Sequence, residues 1–349
     1  MNIGPEEAIT DITFDKVEDS LKSISSLLKE TPIVSLDAFN KIFDHDLYFK
    51  LENLQETKSF KARGVITILS NLKKHNKLPK KIVTYGTGNH GIALAWASKH
   101  FGIKEVKIYL PHFTSEIKKE LAKKHGAQVV ITETRAEAEA RAQADADNFN
   151  YKLIPPSDND EIIAGAATVS LEALQKQKGI DAIFVPIGGG SLSSGTILVK
   201  NHLSPTTKVF AGEPKEMNDA SLSYRTKKIF RFKKEPKTIA DGATALGITQ
   251  RVFNYIKQLD GIFEISEKEI AYWTAQFYNL SKISCEPTSA LAIAAAYRWI
   301  KEQNFETRKK ILIIISGGNI SASTKQEIYN DDSLKISPTE LTFDNPCNI

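Results

Sequence analysis

The chain has 349 residues, of which 41% are hydrophobic and 25% are charged, and its formal net charge is +4. This composition is ordinary for a soluble globular protein and argues against a mainly disordered chain. The length accommodates two domains or one bilobed unit. The small net charge gives little attraction to nucleic acid, so we interpret the basic stretch 225–237 as a solvated surface loop.

The cysteine content and the N-terminal sequence indicate where the protein resides. Cys285 and Cys347 are too few for a disulfide framework or a cysteine-rich metal site, which favours a reducing compartment. The first ten residues lack the basic flank and apolar core of an export signal. The longest aliphatic run, 311–315, is too short to cross a bilayer. We therefore expect a cytoplasmic protein that binds neither membranes nor nucleic acid.

Helical and β-rich patterns alternate along the chain. The predicted helices are 14–28, 64–74, 91–100, 115–125, 136–148, 161–178, 194–202, 267–279 and 289–302. The predicted strands are 46–51, 81–85, 106–110, 128–132, 182–187, 208–213 and 310–315. This alternation indicates an α/β fold with parallel strands and helices on both faces. The segment 155–160 is rich in proline and polar residues, so we place a domain crossing there.

The segment Gly86–Gly91 fits the dinucleotide-binding pattern G-x-G-x-x-G between a predicted strand and a predicted helix. A nicotinamide site also needs an acidic residue at the end of the next strand, about 20 residues further on. Here that strand is followed by Pro111 and His112, so the acidic residue is missing. The glycines still let backbone N–H groups approach an anion, and Asn89 and His90 can hydrogen-bond a ligand.

Three further stretches follow predicted strands, at the edge where open α/β sheets bind ligands. They are Ser59–Gly64, which carries Lys61; Gly188–Leu192, whose successive amides can hold a phosphate; and Ser316–Asn319. Each alone has an ordinary explanation, as a surface lysine, a flexible turn and a helix cap. Four such stretches in one α/β chain favour a single ligand site.

Together these stretches resemble the fold-type II family of pyridoxal-phosphate enzymes, specifically its threonine/serine dehydratase and serine racemase group. NLQETKSFKARG is similar to the segment with the Schiff-base lysine, GTGNHG to the asparagine loop, IGGGSLSSG to the phosphate loop and ISGGN to the segment with the pyridine serine. KTIADGATA and CEPTSA also resemble signatures of the group. The resemblance implies a tryptophan synthase β-like α/β fold of two open, twisted, mostly parallel sheets flanked by helices.

The resemblance also divides the chain and assigns the residues that hold the cofactor. It implies a small mobile domain at 66–154 and a large cofactor-binding domain at 1–65 and 155–349. Lys61 would form the internal aldimine with pyridoxal 5'-phosphate, Phe60 would pack near the ring, and Ser316 would face the pyridine nitrogen. Asn89 would bond the phenolic oxygen. The backbone amides of Gly188, Gly189, Gly190, Ser191 and Leu192 would hold the phosphate, although Ser191 departs from the glycine that is usual there.

The asparagine loop would bind the substrate, through Thr87, Gly88, Asn89 and His90 against its carboxylate. Thr87 takes the place at which racemases of this group carry a serine hydroxyl on the opposite ring face, so it is a second candidate catalytic residue beside Lys61. The segment 212–221 resembles the divalent-cation site of the group. Glu213, Asp219 and the Met217 carbonyl would bind Mg²⁺ or Ca²⁺; the alternative is a solvated acidic loop.

The resemblance implies an ammonia-lyase that converts serine, threonine or a related 3-hydroxy amino acid to a 2-oxo acid and ammonia, with racemisation as an accompanying activity. Lys61 would remove the Cα proton before the β-hydroxyl leaves. A serine at the pyridine nitrogen favours this elimination, because it does not stabilise a protonated ring as an aspartate would. The alternatives are β-replacement, as in cysteine synthase relatives, and a non-catalytic regulatory protein that binds the cofactor or an amino acid. The resemblance also implies a homodimer, for which the tail 330–349 is a candidate contact.

Overall fold

The computed structural model of the chain describes residues 12–330 and 336–338, so the expectations about the first ten residues, Cys347 and most of the tail lie outside the described part. The described helices are α1 (Phe14–Ile24), α2 (Asp37–Phe43), α3 (Lys61–Lys74), α4 (Asn89–Phe101), α5 (Glu116–Lys124), α6 (Arg135–Phe149), α7 (Asp160–Lys176), α8 (Ser191–Leu203), α9 (Asp219–Thr226), α10 (Gln250–Ile256), α11 (Glu267–Ser281), α12 (Pro287–Lys301) and α13 (Ala322–Tyr329). The described strands are β1 (Ile33–Ser35), β2 (Asp46–Leu51), β3 (Lys81–Tyr85), β4 (Glu105–Pro111), β5 (Gln128–Thr132), β6 (Lys152–Leu153), β7 (Ala182–Pro186), β8 (Lys208–Pro214), β9 (Gly261–Ile265) and β10 (Lys310–Ile315).

These strands form two sheets, which confirms the predicted α/β fold. The larger sheet has the order β1-β2-β10-β7-β8-β9, and its pairs are parallel except for the antiparallel pair of β1 and β2. The smaller sheet has the order β5-β4-β3-β6 and is parallel throughout. All strands of the smaller sheet lie between residues 81 and 153, and those of the larger sheet come before and after that segment.

The central strand β10 shows why the larger sheet needs helices on both faces. Its aliphatic residues are fully buried, as expected for a parallel strand covered on both sides. Because side chains alternate along a strand, Ile311 and Ile313 pack with Trp273 of α11 and Leu291 of α12. Leu312 and Ile314 instead pack on the opposite face of the sheet, in the core that α7 and α8 cover.

Some predicted helices have the wrong limits, and several short elements of the structure were not predicted. Helix α1 ends at Ile24 rather than at residue 28, and α8 begins at Ser191 rather than at 194. The early start of α8 follows from Gly190, whose φ of +80° turns the chain into the helix. The prediction omitted the short elements β1, β6, β9, α2, α9, α10 and α13, whose hydrophobic pattern is too brief to register. No described helix combines the length and apolar character needed to cross a membrane.

Glycines let three helices meet beneath the predicted site. A Cβ atom on Gly165 of α7 would lie 2.5 Å from the Cα of Gly64 in α3, and one on Gly195 of α8 would lie 2.6 Å from the nitrogen of Ala167. Any larger side chain would push the helices apart. These close crossings fix the start of α3, where Lys61 lies, relative to the start of α8.

A fully buried charge cluster lies next to the start of α3. Arg63 Nε donates to Glu52 Oε2 at 2.7 Å, and Arg63 Nη1 donates to Glu172 Oε1 at 2.7 Å. Lys50 Nζ donates to Glu172 Oε2 at 2.5 Å. Two cations and two carboxylates thus balance each other inside the protein, and they tie α3 to β2 and α7.

Candidate functional site

The structure brings the four predicted stretches together in one pocket. The loops after β3, β7 and β10 meet the start of α3 at the carboxyl ends of the strands. The predicted residues that line the pocket are Phe60, Lys61, Thr87, Gly88, Asn89, His90, Gly188, Gly189, Gly190, Ser191, Leu192 and Ser316. Glu213, Met217 and Asp219 lie outside this pocket.

Lys61 is the titratable amine of the pocket. Its Nζ donates to the Pro156 carbonyl at 2.8 Å and to Ser191 Oγ at 3.5 Å, and it lies 4.8 Å from the centroid of the Phe60 ring. Burial and, to a smaller extent, the positive charge of Arg135 lower the pKa of Lys61 to about 7, against the opposing negative charge of Glu286. A large fraction of the amine is therefore neutral near pH 7 and able to act as nucleophile or base.

The glycine loop before α8 has no room for side chains. A Cβ atom would lie 2.8 Å from Ala243 Cα at Gly188, 2.6 Å from Ser157 Oγ at Gly189 and 2.2 Å from Val252 Cγ1 at Gly190. The loop leads into the first turn of α8, whose N–H groups have no partners within the helix. A loop that only glycine fits, followed by free amides and the positive end of a helix dipole, suits a phosphate group.

Asn89 is the first residue of α4 and belongs to a hydrogen-bond network. Its Nδ2 donates to both carboxylate oxygens of Glu286, at 2.8 and 3.0 Å, and its Oδ1 accepts from Asn319 Nδ2 at 2.9 Å. Asn319 Nδ2 also donates to the Thr57 carbonyl at 3.0 Å. The loop after β3 is thereby held against the loop after β10.

Lys118 extends this network from the smaller sheet to the larger one. It is fully buried on α5, and its Nζ lies 2.7 Å from Asp241 Oδ1 and 3.1 Å from Glu286 Oε2. Its aliphatic stem packs on the asparagine loop, since a Cβ atom on Gly88 would lie 2.6 Å from Lys118 Cδ. Burial raises the pKa of Glu286, and the Lys118 ammonium opposes that rise.

His90 is buried beside Lys61 and is held in one neutral form. Its Nε2 lies 3.1 Å from the Ile154 carbonyl, and its Nδ1 is buried without a hydrogen-bond partner among the described residues. Burial, and then the positive charge of Lys61, lower the pKa of His90 to about 3. The hydrogen bond to a carbonyl places the proton on Nε2, so Nδ1 is an acceptor.

Ser316 has a hydroxyl neighbour rather than a carboxylate partner. Its Oγ is buried and lies 3.2 Å from Ser289 Oγ, which also accepts from the Gly317 amide at 2.9 Å. A neutral hydroxyl at this position does not favour a protonated ring nitrogen.

The residues predicted to bind a cation form a separate buried group. Glu213, at the end of β8, accepts from the amides of Ala220 and Ser221 at 2.9 and 2.8 Å. Asp219 Oδ2 is buried without a hydrogen-bond partner among the described residues. Burial raises the pKa of both acids, to about 7 for Asp219, and the Asp219 charge raises that of Glu213 further. The unpaired buried oxygen of Asp219 is a ligand of the type that a divalent cation prefers, and the described part of the chain holds no cluster of three or more His, Cys, Asp or Glu side chains arranged for a metal.

Several residues of the site were not assigned from the sequence. Glu286, Asp241 and Asn319 lie in or beside stretches that resemble group signatures, so a signal for them existed. Arg135 begins α6 and Lys118 lies within α5. Both helices are rich in charged residues, and nothing in the sequence distinguishes these two residues from surface cations. Their roles follow only from the fold, which turns both toward the larger sheet.

Comparison with known proteins gives matches along most of the chain. The model of the family described as pyridoxal-phosphate dependent enzyme matches residues 24–317. Serine racemase of Dictyostelium discoideum is 36% identical over 333 residues, which cover 93% of this chain and 100% of that protein. L-threo-3-hydroxyaspartate ammonia-lyase of Saccharomyces cerevisiae is 32% identical over 88% of this chain and 93% of its own. The structure of maize serine racemase matches with a TM-score of 0.84 at 29% identity, over 92% of this chain and 98% of that one.

Proposed function

Since this chain belongs to the family of pyridoxal-phosphate dependent enzymes, we propose that it is an ammonia-lyase that converts a 3-hydroxy amino acid to a 2-oxo acid and ammonia. The observation that carries the proposal is the position of Lys61. Its amine, with a pKa lowered to about 7, lies in one pocket with the glycine loop and the Ser316 hydroxyl. Pyridoxal phosphate, when bound, supplies an aldehyde for amines and a ring that withdraws electrons from Cα.

The residues of the pocket fit this cofactor. The loop Gly188–Gly190 and the first turn of α8 would hold its phosphate, Lys61 would be joined to its aldehyde, and Ser316 would face its ring nitrogen. Asn89 would reach the phenolic oxygen with an amide whose orientation Glu286 and Asn319 fix. The cramped glycine positions support the phosphate assignment most strongly, because none of the three has room for a side chain between its backbone and a bound anion.

The start of α4 would bind the substrate, and Lys61 would act on its Cα atom. The helix dipole and the amides at Thr87–His90 suit the substrate carboxylate, which orients the Cα–H bond toward the amine. Once the substrate amine has replaced Lys61 at the aldehyde, the freed neutral Lys61 would take the Cα proton, and the departure of the β-hydroxyl would then remove the developing negative charge. Closure of the small domain, proposed as 66–154, would exclude water from this step. Water would finally release the product as 2-oxo acid and ammonia.

Arg135 favours a substrate with a second carboxylate. It begins α6, lines the pocket and has its Nη1 anchored 2.9 Å from the Thr244 carbonyl. Its charge acts on Lys61, so the guanidinium lies near the reacting centre. We therefore place 3-hydroxyaspartate beside serine and threonine as a substrate, in line with the yeast ammonia-lyase that this chain resembles.

Racemisation is the second candidate activity, and Thr87 is the observation that favours it. Thr87 lines the pocket and carries a hydroxyl at the place assigned to the second base, and several relatives are serine racemases. Mg²⁺ or Ca²⁺ at Glu213, Asp219 and the Met217 carbonyl, a homodimer and a cytoplasmic location complete the proposal. The cation is supported by the unpaired Asp219 oxygen, and the dimer and location rest on the resemblance and the low cysteine count.

The experiment offers L-serine, D-serine, L-threonine and L-threo-3-hydroxyaspartate separately to the purified protein with pyridoxal phosphate and Mg²⁺. Release of 2-oxo acid and the chirality of the remaining amino acid are measured, for the wild type and for Thr87→Ala. We expect oxo-acid release from at least one substrate, and loss of any inversion but retention of elimination in Thr87→Ala. Bound cofactor without turnover of any of the four would favour β-replacement or a non-catalytic role.

A further inference from the structure

The segment Ser191–Gly195 contains three serines, and the structure separates their surroundings. Ser193 Oγ donates back to the Gly190 carbonyl at 3.0 Å. Ser194 Oγ is buried without a hydrogen-bond partner among the described residues and does not line the pocket. Ser191 is 1% exposed, lines the pocket and has its Oγ 3.5 Å from Lys61 Nζ. One of the three hydroxyls thus faces the reacting lysine.

The hydrogen-bonding capacity of Ser191 Oγ is not used up by this contact. A hydroxyl has one hydrogen to donate and two lone pairs to accept with. Lys61 Nζ is a donor here, so it occupies a lone pair of Ser191 and leaves the hydroxyl hydrogen free. That hydrogen lies at the first residue of α8, directly after the glycine loop, among amide donors that also suit an anion.

Resting on the proposed function, we propose that the Ser191 hydroxyl is a side-chain ligand of the cofactor phosphate and at the same time positions the Lys61 amine. It would donate its hydrogen to a phosphate oxygen and accept from Nζ, while the Pro156 carbonyl accepts from Nζ at 2.8 Å. The amine is thereby held between a carbonyl and a hydroxyl on the phosphate side of the pocket. A glycine at this position would leave the phosphate with amides alone and would leave the amine with one acceptor.

The test compares the full-length Ser191→Ala and Ser194→Ala variants with the wild type. Both variants remove one buried hydroxyl from α8, so Ser194→Ala controls for effects on the helix. The dissociation constant of pyridoxal phosphate is measured by its visible absorbance, and inorganic phosphate is measured as a competitor of cofactor binding. We expect Ser191→Ala to weaken both the cofactor and inorganic phosphate about tenfold, as for one hydrogen bond to a charged group, and Ser194→Ala to leave both within about twofold.

A second readout isolates the contact with Lys61. Without the hydroxyl, the charged amine loses an acceptor, so the pH midpoint of cofactor attachment moves to lower pH in Ser191→Ala but not in Ser194→Ala. Unchanged affinities and an unchanged midpoint in Ser191→Ala would overturn this inference alone. Failure of the wild type to attach the cofactor at Lys61 would overturn the proposed function itself. If Ser191→Ala does not fold, Ser191→Gly, which restores the residue usual in this group, gives the same comparison.

Discussion

Lys118 Nζ lies 3.1 Å from Glu286 Oε2, and this ion pair joins α5, beside the smaller sheet, to the residue that caps α12 beside the larger one. Glu286 in turn accepts two hydrogen bonds from Asn89. One buried cation therefore links the position of the asparagine loop to the approach of the two sheets.

Replacement of Lys118 by methionine should be severe, because it leaves the buried Glu286 and the partly buried Asp241 without their cation. We expect a loss of about 3–5 kcal/mol in the free energy of unfolding and a higher KM for the amino acid. Lys119→Met is the matched control on the same helix, since Lys119 donates to the largely exposed Glu116 and to the carbonyl of the exposed His112. Its replacement should cost at most about 1 kcal/mol. Urea unfolding and steady-state kinetics measure both effects, and equal behaviour of the two variants would refute the link.

The lowered pKa of Lys61 predicts how cofactor attachment depends on pH. Condensation with an aldehyde needs the neutral amine, so the rate should rise with pH, pass half its maximum near pH 7 and level off above it. Arg135→Gln removes a positive charge that disfavours the ammonium form, so the midpoint should move to higher pH. Arg141→Gln, on the same helix but paired with Glu137 at the surface, should leave the midpoint unchanged. A stopped-flow series of absorbance traces measures the midpoint. A midpoint near the ordinary lysine pKa would show that the pocket does not lower the pKa of Lys61.

Gly190 should be irreplaceable for cofactor binding. Alanine there would be strained at a φ of +80°, and its Cβ would meet Val252 Cγ1 at 2.2 Å. Gly179 has a similar φ of +70° but an open surrounding, with the nearest atom at 4.0 Å. We expect both alanine variants to lose about 1–2 kcal/mol of stability from the strained backbone. Gly190→Ala should lose about 1–3 kcal/mol more from the contact with Val252, and only this variant should lose cofactor affinity. Equal affinity in the two variants, measured by equilibrium absorbance titration, would argue against a phosphate at this loop.

Arg63 should matter for stability far more than exposed arginines do. Arg63→Met leaves the two carboxylates of the cluster, Glu52 and Glu172, with Lys50 as their remaining cation. We expect the free energy of unfolding to fall by about 3–5 kcal/mol. Arg308→Met breaks ion pairs with the exposed Asp44 and Asp46, and should cost at most about 1 kcal/mol. Chemical unfolding of both variants gives the comparison, and a small effect at Arg63 would show that the cluster does not hold α3.

The layered α/β fold and the pocket could be predicted from the sequence because short segments of the chain carry the signals for both. A continuous apolar run predicts a buried strand such as β10, and glycines predict the loop before α8. The hydrogen-bond and ion-pair network around Asn89 could not be predicted, because its partners are distant in sequence. Lys118 and Arg135 lie on charged helices, and only the meeting of two sheets distinguishes them from solvated cations. The edge strand β9 was missed because a glycine and a glutamate interrupt the apolar run of its sequence, GIFEI.

Release of 2-oxo acid by the wild type and by Lys61→Ala tests whether Lys61 is the base of an ammonia-lyase. Both proteins are saturated with pyridoxal phosphate and given L-serine or L-threo-3-hydroxyaspartate, and the oxo acid is measured over time. We expect steady release by the wild type and none above the cofactor-only background with Lys61→Ala, because the base at Cα is gone. Release at the wild-type rate by Lys61→Ala, or none by a wild type that carries the cofactor on Lys61, would contradict this expectation.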